Sequence, residues 1–239
     1  MKKLIAMSLF FFLFFTLITS VNASVTIQAT IDQSIYVVFN FENINSTIYE
    51  RIKEHEALFN SSTIPKIIMK NLKNQNLTYA AYHNPELVFD DAKRSIQARF
   101  HLSGSDILNF TLNKATMAKI CYARTDWRKF SVNLTDTLSL DFKVYFGTPV
   151  AQWKRINYTD PQKRTYSAYY YNYTGPSPFD PLCYFILPTT ATSVRAIGDT
   201  VIFEIPPSLE DVLLNSPFLI ISALIIVNIA VFLYREVRK

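Results

Sequence analysis

The stretch SVTIQATIDQSIYVVFNFE, residues 24–42, decides the fold class. In its first half Val25, Ile27, Ala29 and Ile31 alternate with Thr26, Gln28 and Thr30. Successive side chains of a strand point to opposite sides, so this period of two gives an extended chain one apolar and one polar face. Asp32 and Gln33 interrupt the pattern, and SIYVVFNFE follows with β-branched and aromatic residues dominating. The stretch predicts two strands joined as a hairpin.

Beyond it the period changes. NSTIYERIKEHEALF places Ile48, Ile52, His55 and Phe59 on one helical stripe, and TIPKIIMKNLKNQ places Ile64, Ile67, Ile68 and Leu72 on another. Ser62 or Thr63 serves as cap, with Pro65 in the first turn. One broken helix or two short ones are expected over 47–74. After Asn76 the strand period returns in NLTYAAYH, SIQARFHL, AKICYAR and TVIFEIP. It is cleanest in TLSLDFKVYFG, where Leu138, Leu140, Phe142, Val144 and Phe146 stay in register. Glycines 104, 147, 175 and 198 fall where strands should turn. The expected fold is α+β and mostly antiparallel β, either sandwich-like or a sheet with an early helical insertion, followed by a single C-terminal transmembrane helix.

That last element comes from SPFLIISALIIVNIAVFLYREVRK, residues 216–239. Phe218 to Tyr234 is seventeen residues without a formal charge. At about 1.5 Å per residue this gives roughly 25 Å of helix, near the lower limit for a hydrocarbon core of about 30 Å. Tyr234 and Arg235 suit the interface. The chain begins MKKLIAMSLFFFLFFTLITSVNAS, with two lysines, an apolar core from Leu4 to Ile18, and modest side chains at Val21-Asn22-Ala23. This is the pattern of a signal peptide cleaved after Ala23, an uncleaved anchor being the alternative. Arg235, Arg238 and Lys239 stay on the cytoplasmic side by the positive-inside rule. A glycolipid-anchor signal fits less well, because charged residues follow the apolar run. The expected organisation is a leader at 1–23, an exported β-rich domain at 24–207, a juxtamembrane helix at 208–216, a transmembrane helix at 217–234 and a cytoplasmic tail at 235–239. The protein is placed in a plasma or secretory-pathway membrane with the bulk of the chain outside the cytoplasm.

The formal net charge of +5 belongs to the two ends. Setting aside Lys2, Lys3, Arg235, Arg238 and Lys239 from 24 bases, and Glu236 from 19 acids, leaves 19 against 18. The exported region is near neutral and gives no support to nucleic-acid binding. Eight N-x-[ST] sequons occur, at Asn22, Asn45, Asn60, Asn76, Asn109, Asn133, Asn157 and Asn172. Chance placement of 16 asparagines among 38 serines and threonines gives about two or three. The excess points to an exported, N-glycosylated chain; Asn22 lies in the leader, and the other seven mark outward-facing positions. Cys121 and Cys183 are the only cysteines. In an oxidising compartment a bridge between them would close about sixty residues and stabilise the fold by about 4 kcal/mol in the chain-entropy model.

Motifs for chemistry are sparse. His55, His83 and His101 carry no metal or catalytic spacing, and no H-E-x-x-H, G-x-S-x-G, Walker loop, dinucleotide fingerprint or EF-hand loop is present. No catalytic residue, cofactor or metal site is expected. Asp90 and Asp91 read as a solvated turn beside Lys93 and Arg94, and Asp160, Asp180 and Asp199 as turn acids. The odd patch is TYSAYYYNYTGPSPFDPLCYF, which crowds Tyr166, Tyr169, Tyr170, Tyr171 and Tyr173 ahead of Cys183. Exposed, such a cluster suits recognition of a protein or a sugar; otherwise it is a half-buried strand pair. Asn228, an amide within the apolar run, gains a partner by lateral helix association or is simply tolerated.

The expected function is that of a single-pass, N-glycosylated, non-enzymatic protein whose exported domain binds a protein or glycan partner, in adhesion, as a receptor or as a complex subunit. The alternatives are a membrane-tethered ectoenzyme with a dispersed hydrolytic site and a structural cell-envelope component.

Overall fold

The computed structural model describes residues 23–54, 63–133, 139–177, 179–215 and 217–237. They form an α+β fold dominated by antiparallel sheets, with few helices. The expected leader up to Asn22, as well as His55, Phe59 and Asn60, lies outside the described residues.

The opening hairpin is β1 (Ala23–Ile31) and β2 (Ile35–Glu42), antiparallel, with Ile31 opposite Ile35 and Val25 opposite Phe41. Its odd-numbered residues face the core: Ile27, Ala29, Ile35 and Val37 are completely buried. Each such Ile or Val contributes about 1.5–3 kcal/mol relative to exposure. Two helices follow, α1 (Ser46–Glu54) and α2 (Thr63–Asn74). Then come β3 (Ala81–Asp90), β4 (Ser95–Ser103), β5 (Leu108–Leu112), β6 (Lys119–Arg124), β7 (Ser131–Asn133) and β8 (Ser139–Asp141). A short helix α3 (Phe142–Phe146) precedes β9 (Lys154–Thr159), β10 (Thr165–Asn172), β11 (Phe179–Ile186), β12 (Thr192–Ile197) and β13 (Thr200–Ile205). The described chain closes with α4 (Leu209–Asn215) and α5 (Pro217–Val237).

The hairpin becomes the middle of a seven-stranded sheet ordered β3-β4-β2-β1-β11-β10-β9. All its pairings are antiparallel except β1 with β11, where Ile27 lies opposite Cys183. A four-stranded sheet, β12-β13-β6-β5, and the small pair β7-β8 complete the strands. The two larger sheets share one core, to which the four-stranded sheet contributes Cys121, Ala123, Val201 and Phe203. Aromatic rings fill the centre: Trp127 lies 5.5 Å and Trp153 5.6 Å from Phe185, centroid to centroid.

α1 starts at Asn45, whose Oδ1 accepts the Thr47 N–H at 2.9 Å, and it buries Tyr49 and Ile52. α2 buries Ile68 and Leu72 and is held by Asn71. The Asn71 amide accepts the Ser131 N–H at 2.8 Å and donates to the Ser131 carbonyl at 2.7 Å, pairing with β7 much as a strand would.

Two expectations change. TLSLDFKVYFG is not one strand, because the strand stops at Asp141, whose Oδ1 accepts the Lys143 N–H at 3.0 Å and opens α3. Phe142 and Phe146 are buried while Val144 is 63 % exposed. Residues four apart share a face in both a strand and a helix, and only the middle position distinguishes them. Cys121 and Cys183 form no bridge and are free, buried thiols. They belong to the inner faces of different sheets, and facing sheets pack about 10 Å apart, whereas a bridge needs Cα atoms within about 7 Å. Burial pushes the Cys121 thiol up to about 11 and raises Cys183 as well.

α5 is a helix of 21 residues, yet among the described residues no helix is long and apolar enough to cross a membrane. Within α5 the described side chains run from Ile220 to Val231, with Leu233 and Tyr234 beyond.

Candidate functional site

The seven-stranded sheet buries one face and opens the other. Along β1 and β2 every odd-numbered residue from Val25 to Phe41 within the strands is buried, and every even-numbered one from Thr26 to Asn40 is half-buried. Register carries the outer face across all seven strands. Glu86 is opposite Arg99, Arg99 opposite Val38, Val38 opposite Gln28, Gln28 opposite Tyr184, Tyr184 opposite Tyr170, and Tyr170 opposite Lys154.

At the β9 end of this face three tyrosines converge. The ring of Tyr184 lies 5.1 Å from Tyr170 and 6.0 Å from Tyr158. Tyr158 and Tyr184 stand on strands separated by β10, a span of about 9.6 Å at the usual spacing, so their rings lean towards each other over it. Ala168, between them on β10, is completely buried although it belongs to the outer face. A larger side chain there would push the rings apart. Burial raises the Tyr184 hydroxyl, and the neighbouring Tyr170 and Tyr158 raise it further, so it stays protonated and able to donate as well as accept. Tyr166, opposite Tyr158, donates to Asp160 Oδ2 at 3.1 Å, and Asp160 also accepts from Arg164 Nε at 2.7 Å.

Towards β3 the face is more polar. Gln97 Oε1 accepts from Arg99 Nη2 at 2.6 Å and from Nε at 3.1 Å, which ties the guanidinium to its neighbour two positions back on β4. The His101 ring lies 4.8 Å from that of Tyr36, tilted by 35°, and its Nδ1 lies 3.2 Å from Ser34 Oγ. His83, directly opposite His101, has Nε2 2.8 Å from Ser103 Oγ. Each is a hydroxyl–imidazole pair, but neither imidazole has a carboxylate partner among the described residues, the third group that orients a catalytic histidine. Among the described residues no group of three His, Cys, Asp or Glu side chains is placed to hold a metal ion.

The tyrosines that crowd together in sequence are thus divided by the strand period. Tyr166 and Tyr170 face outward. Tyr169 and Tyr171 face inward: Tyr169 is buried, and Tyr171 stacks at 5.2 Å on Trp153 with its hydroxyl 3.2 Å from Thr148 Oγ1. Tyr173, past the strand end, meets Tyr145 edge-on at 5.4 Å. The structure adds Tyr158 and Tyr36 to the outer set, and parity along paired strands is the signal that would have found them. Of the sequon residues, Asn76, Asn109, Asn157 and Asn172 are exposed and Asn45 is half-buried, while Asn133 lies on β7. Asn172 follows Tyr170 on the outer side of β10 and borders the tyrosine group. Asn228 donates to the Leu224 carbonyl at 2.7 Å, so one of its donors is satisfied within α5.

Two acids read as turn residues have partners elsewhere. Asp91 accepts from Tyr49 Oη at 2.7 Å and from Lys53 Nζ at 2.6 Å, tying the β3–β4 turn to α1. Asp199 accepts from Arg128 Nη2 and Lys129 Nζ, both at 2.7 Å. Arg128 is completely buried, donates also to Thr125 and to the Thr148 carbonyl, and lies 4.9 Å from the Trp153 ring centroid. Burial by itself would raise the Asp199 carboxyl, but Lys129 and Arg128 outweigh it and hold it below the usual range. This cluster joins the β12–β13 turn to the core.

No protein-family model matches the chain, and neither a curated protein nor a solved structure shows significant similarity to it.

Proposed function

We propose that the chain is a single-pass membrane protein whose exported, N-glycosylated domain binds a protein or glycan partner through the outer face of its seven-stranded sheet. The observation that carries the binding half is the Tyr158–Tyr170–Tyr184 group. Three rings lean together on the outer face, and towards β3 the same face carries the Gln97–Arg99 pair. Tyrosine offers large contact area at low entropic cost together with a hydroxyl, the combination that recognition surfaces favour.

Support for the anchor is physical. Ile220, Ile221, Leu224, Ile225, Ile226 and Val227 are each between 46 % and 66 % exposed. They lie on every side of α5, whose uncharged run from Phe218 to Tyr234 gives roughly 25 Å at about 1.5 Å per residue. A helix apolar all round needs an apolar solvent, and a bilayer core of about 30 Å supplies one. The leader pattern and the sequons agree with export. Lateral association through Asn228 would use its second N–H and its carbonyl, since one donor already bonds back to the Leu224 carbonyl.

The test is site-specific photocrosslinking in native membranes. A photoreactive residue in place of Tyr170 or Tyr184 is expected to capture a protein or a glycan-bearing adduct of one size, and the same residue in place of Val144 none. Equal capture at all three positions, or none at any, rejects the face. Detergent extraction of the wild type beside Asn228→Leu checks the lateral contact: a companion retained by both shows that Asn228 does not hold it.

A further inference from the structure

The chain leaves the domain at the end of β13. Ile205 lies opposite Lys119 and Lys119 opposite Leu112, so at about 4.8 Å per strand Leu112 stands roughly 10 Å from the exit. Pro206 and Pro207 stiffen the connection. Ser208 then opens α4 with a reciprocal cap: its Oγ accepts the Asp211 N–H at 3.0 Å, and Asp211 Oδ2 accepts the Ser208 N–H at 3.2 Å. Asp211 Oδ2 also lies 3.9 Å from Lys119 Nζ, an exposed ion pair between α4 and the start of β6.

Around this exit apolar side chains are bare. Leu209 is 77 % and Val212 39 % exposed, three residues apart on one helical face, and Leu112 is 53 % exposed. Single exposed apolar residues are ordinary, but here three border one chain exit, and the helix beyond it is apolar on every side. Only Ser216 separates α4 from α5. The headgroup region on each side of a bilayer is about 5–7 Å thick, less than the width of a helix with its side chains. Exposed Lys114, in the β5–β6 turn, and Lys119 balance Glu210 and Asp211, so zwitterionic headgroups meet no net charge from these four.

We infer that this end of the domain rests in the headgroup layer of the bilayer that holds α5, with Leu112, Leu209 and Val212 at the acyl boundary. The inference depends on the membrane-anchor reading of α5, and it adds that the domain is docked on the lipid surface in a fixed orientation. It needs no third element between domain and membrane.

The experiment uses the full chain in phosphatidylcholine vesicles, spin-labelled at one introduced thiol in each of Leu112→Cys, Val212→Cys, Ile225→Cys and Val144→Cys. Cys121 and Cys183 are buried and do not compete for the label. Collision with dissolved oxygen and with a water-soluble nickel chelate reports depth. The expected result is a deep label at 225, labels at 112 and 212 that have lost most of their chelate collisions, and an aqueous label at 144. A deep label at 225 with labels at 112 and 212 as aqueous as at 144 overturns the docking and leaves the anchor standing. An aqueous label at 225 overturns both. Adding Leu112→Glu and Leu209→Glu is expected to return chelate access to a label at 212 without moving the one at 225; no change at 212 also counts against docking.

Discussion

Tyr184 and Phe185 are neighbours on β11, yet one belongs to the open face of the seven-stranded sheet and the other to its filled face. Phe185 is completely buried between Trp127 and Trp153. Tyr184 is half-buried and touches other tyrosines. The difference teaches that a sheet covered on one side has two separable sets of residues along the same strands. The inner set is held to close-packed volumes by its neighbours, whereas the outer set is constrained mainly by register. Recognition chemistry can therefore change on one side while stability is maintained on the other.

The contrast is broken most severely from the inside. Phe185→Ala is expected to cost about 3–5 kcal/mol, the range for deleting a buried aromatic side chain. Trp127 and Trp153 are the only tryptophans and both adjoin the site, so their fluorescence follows unfolding directly. Asp199→Asn is expected to cost about 3 kcal/mol, because it leaves the buried Arg128 without its counter-charge. Asp199 also gives the inner side a pH signature. Its folded-state value is depressed, so its contribution is complete above the ordinary carboxylate value of about 3.9 and is lost as the pH falls towards the folded value. The asparagine variant should show a flatter loss of stability on that acid limb.

Cys183→Ser is expected to cost about 1–3 kcal/mol, from an apolar site asked to hold a hydroxyl. In the native protein neither thiol should react with an aqueous thiol reagent at pH 8, and both should react after unfolding without reductant. A chain that yields thiols only after reduction would restore the bridge. The smallest effect belongs outside: Tyr184→Ala should change stability by at most about 1 kcal/mol while abolishing crosslinking at position 170. A loss of stability as large as that of Phe185→Ala would erase the distinction between the faces.

Sequence pattern reveals the covered face more readily than the open one. The hairpin over residues 24–42 is legible because burial on one side imposes strict alternation, and the structure repeats it residue by residue. α2 is legible from Ile68 and Leu72 for the same reason. α3 is hidden, since Phe142 and Phe146 satisfy strand and helix periods alike and Asp141, the cap, reads as an ordinary polar strand residue. Pro85 obscures β3, which carries it at an edge of the sheet where the register slips between His83 and Glu86. The tyrosine group depends on which strands pair: Tyr158 and Tyr184 are 26 positions apart and meet only because β10 lies between their strands. The Asp199–Arg128 pair spans 71 positions and has no local signature.

The parallel pairing of β1 with β11 carries a consequence in time. Ile27 waits for Cys183, 156 positions later in the chain, and at roughly 5–20 residues per second of synthesis that interval lasts about 8–30 s. For that period the first hairpin has one partner strand too few at the centre of what will become the widest sheet, leaving the backbone N–H and C=O groups along one edge of β1 open to any neighbouring nascent chain. Productive assembly of this protein is therefore a race between the arrival of its own eleventh strand and capture of its first by another molecule. Slowing elongation between Glu42 and Phe179 should tilt that race towards aggregation more than the same delay placed after Ile186.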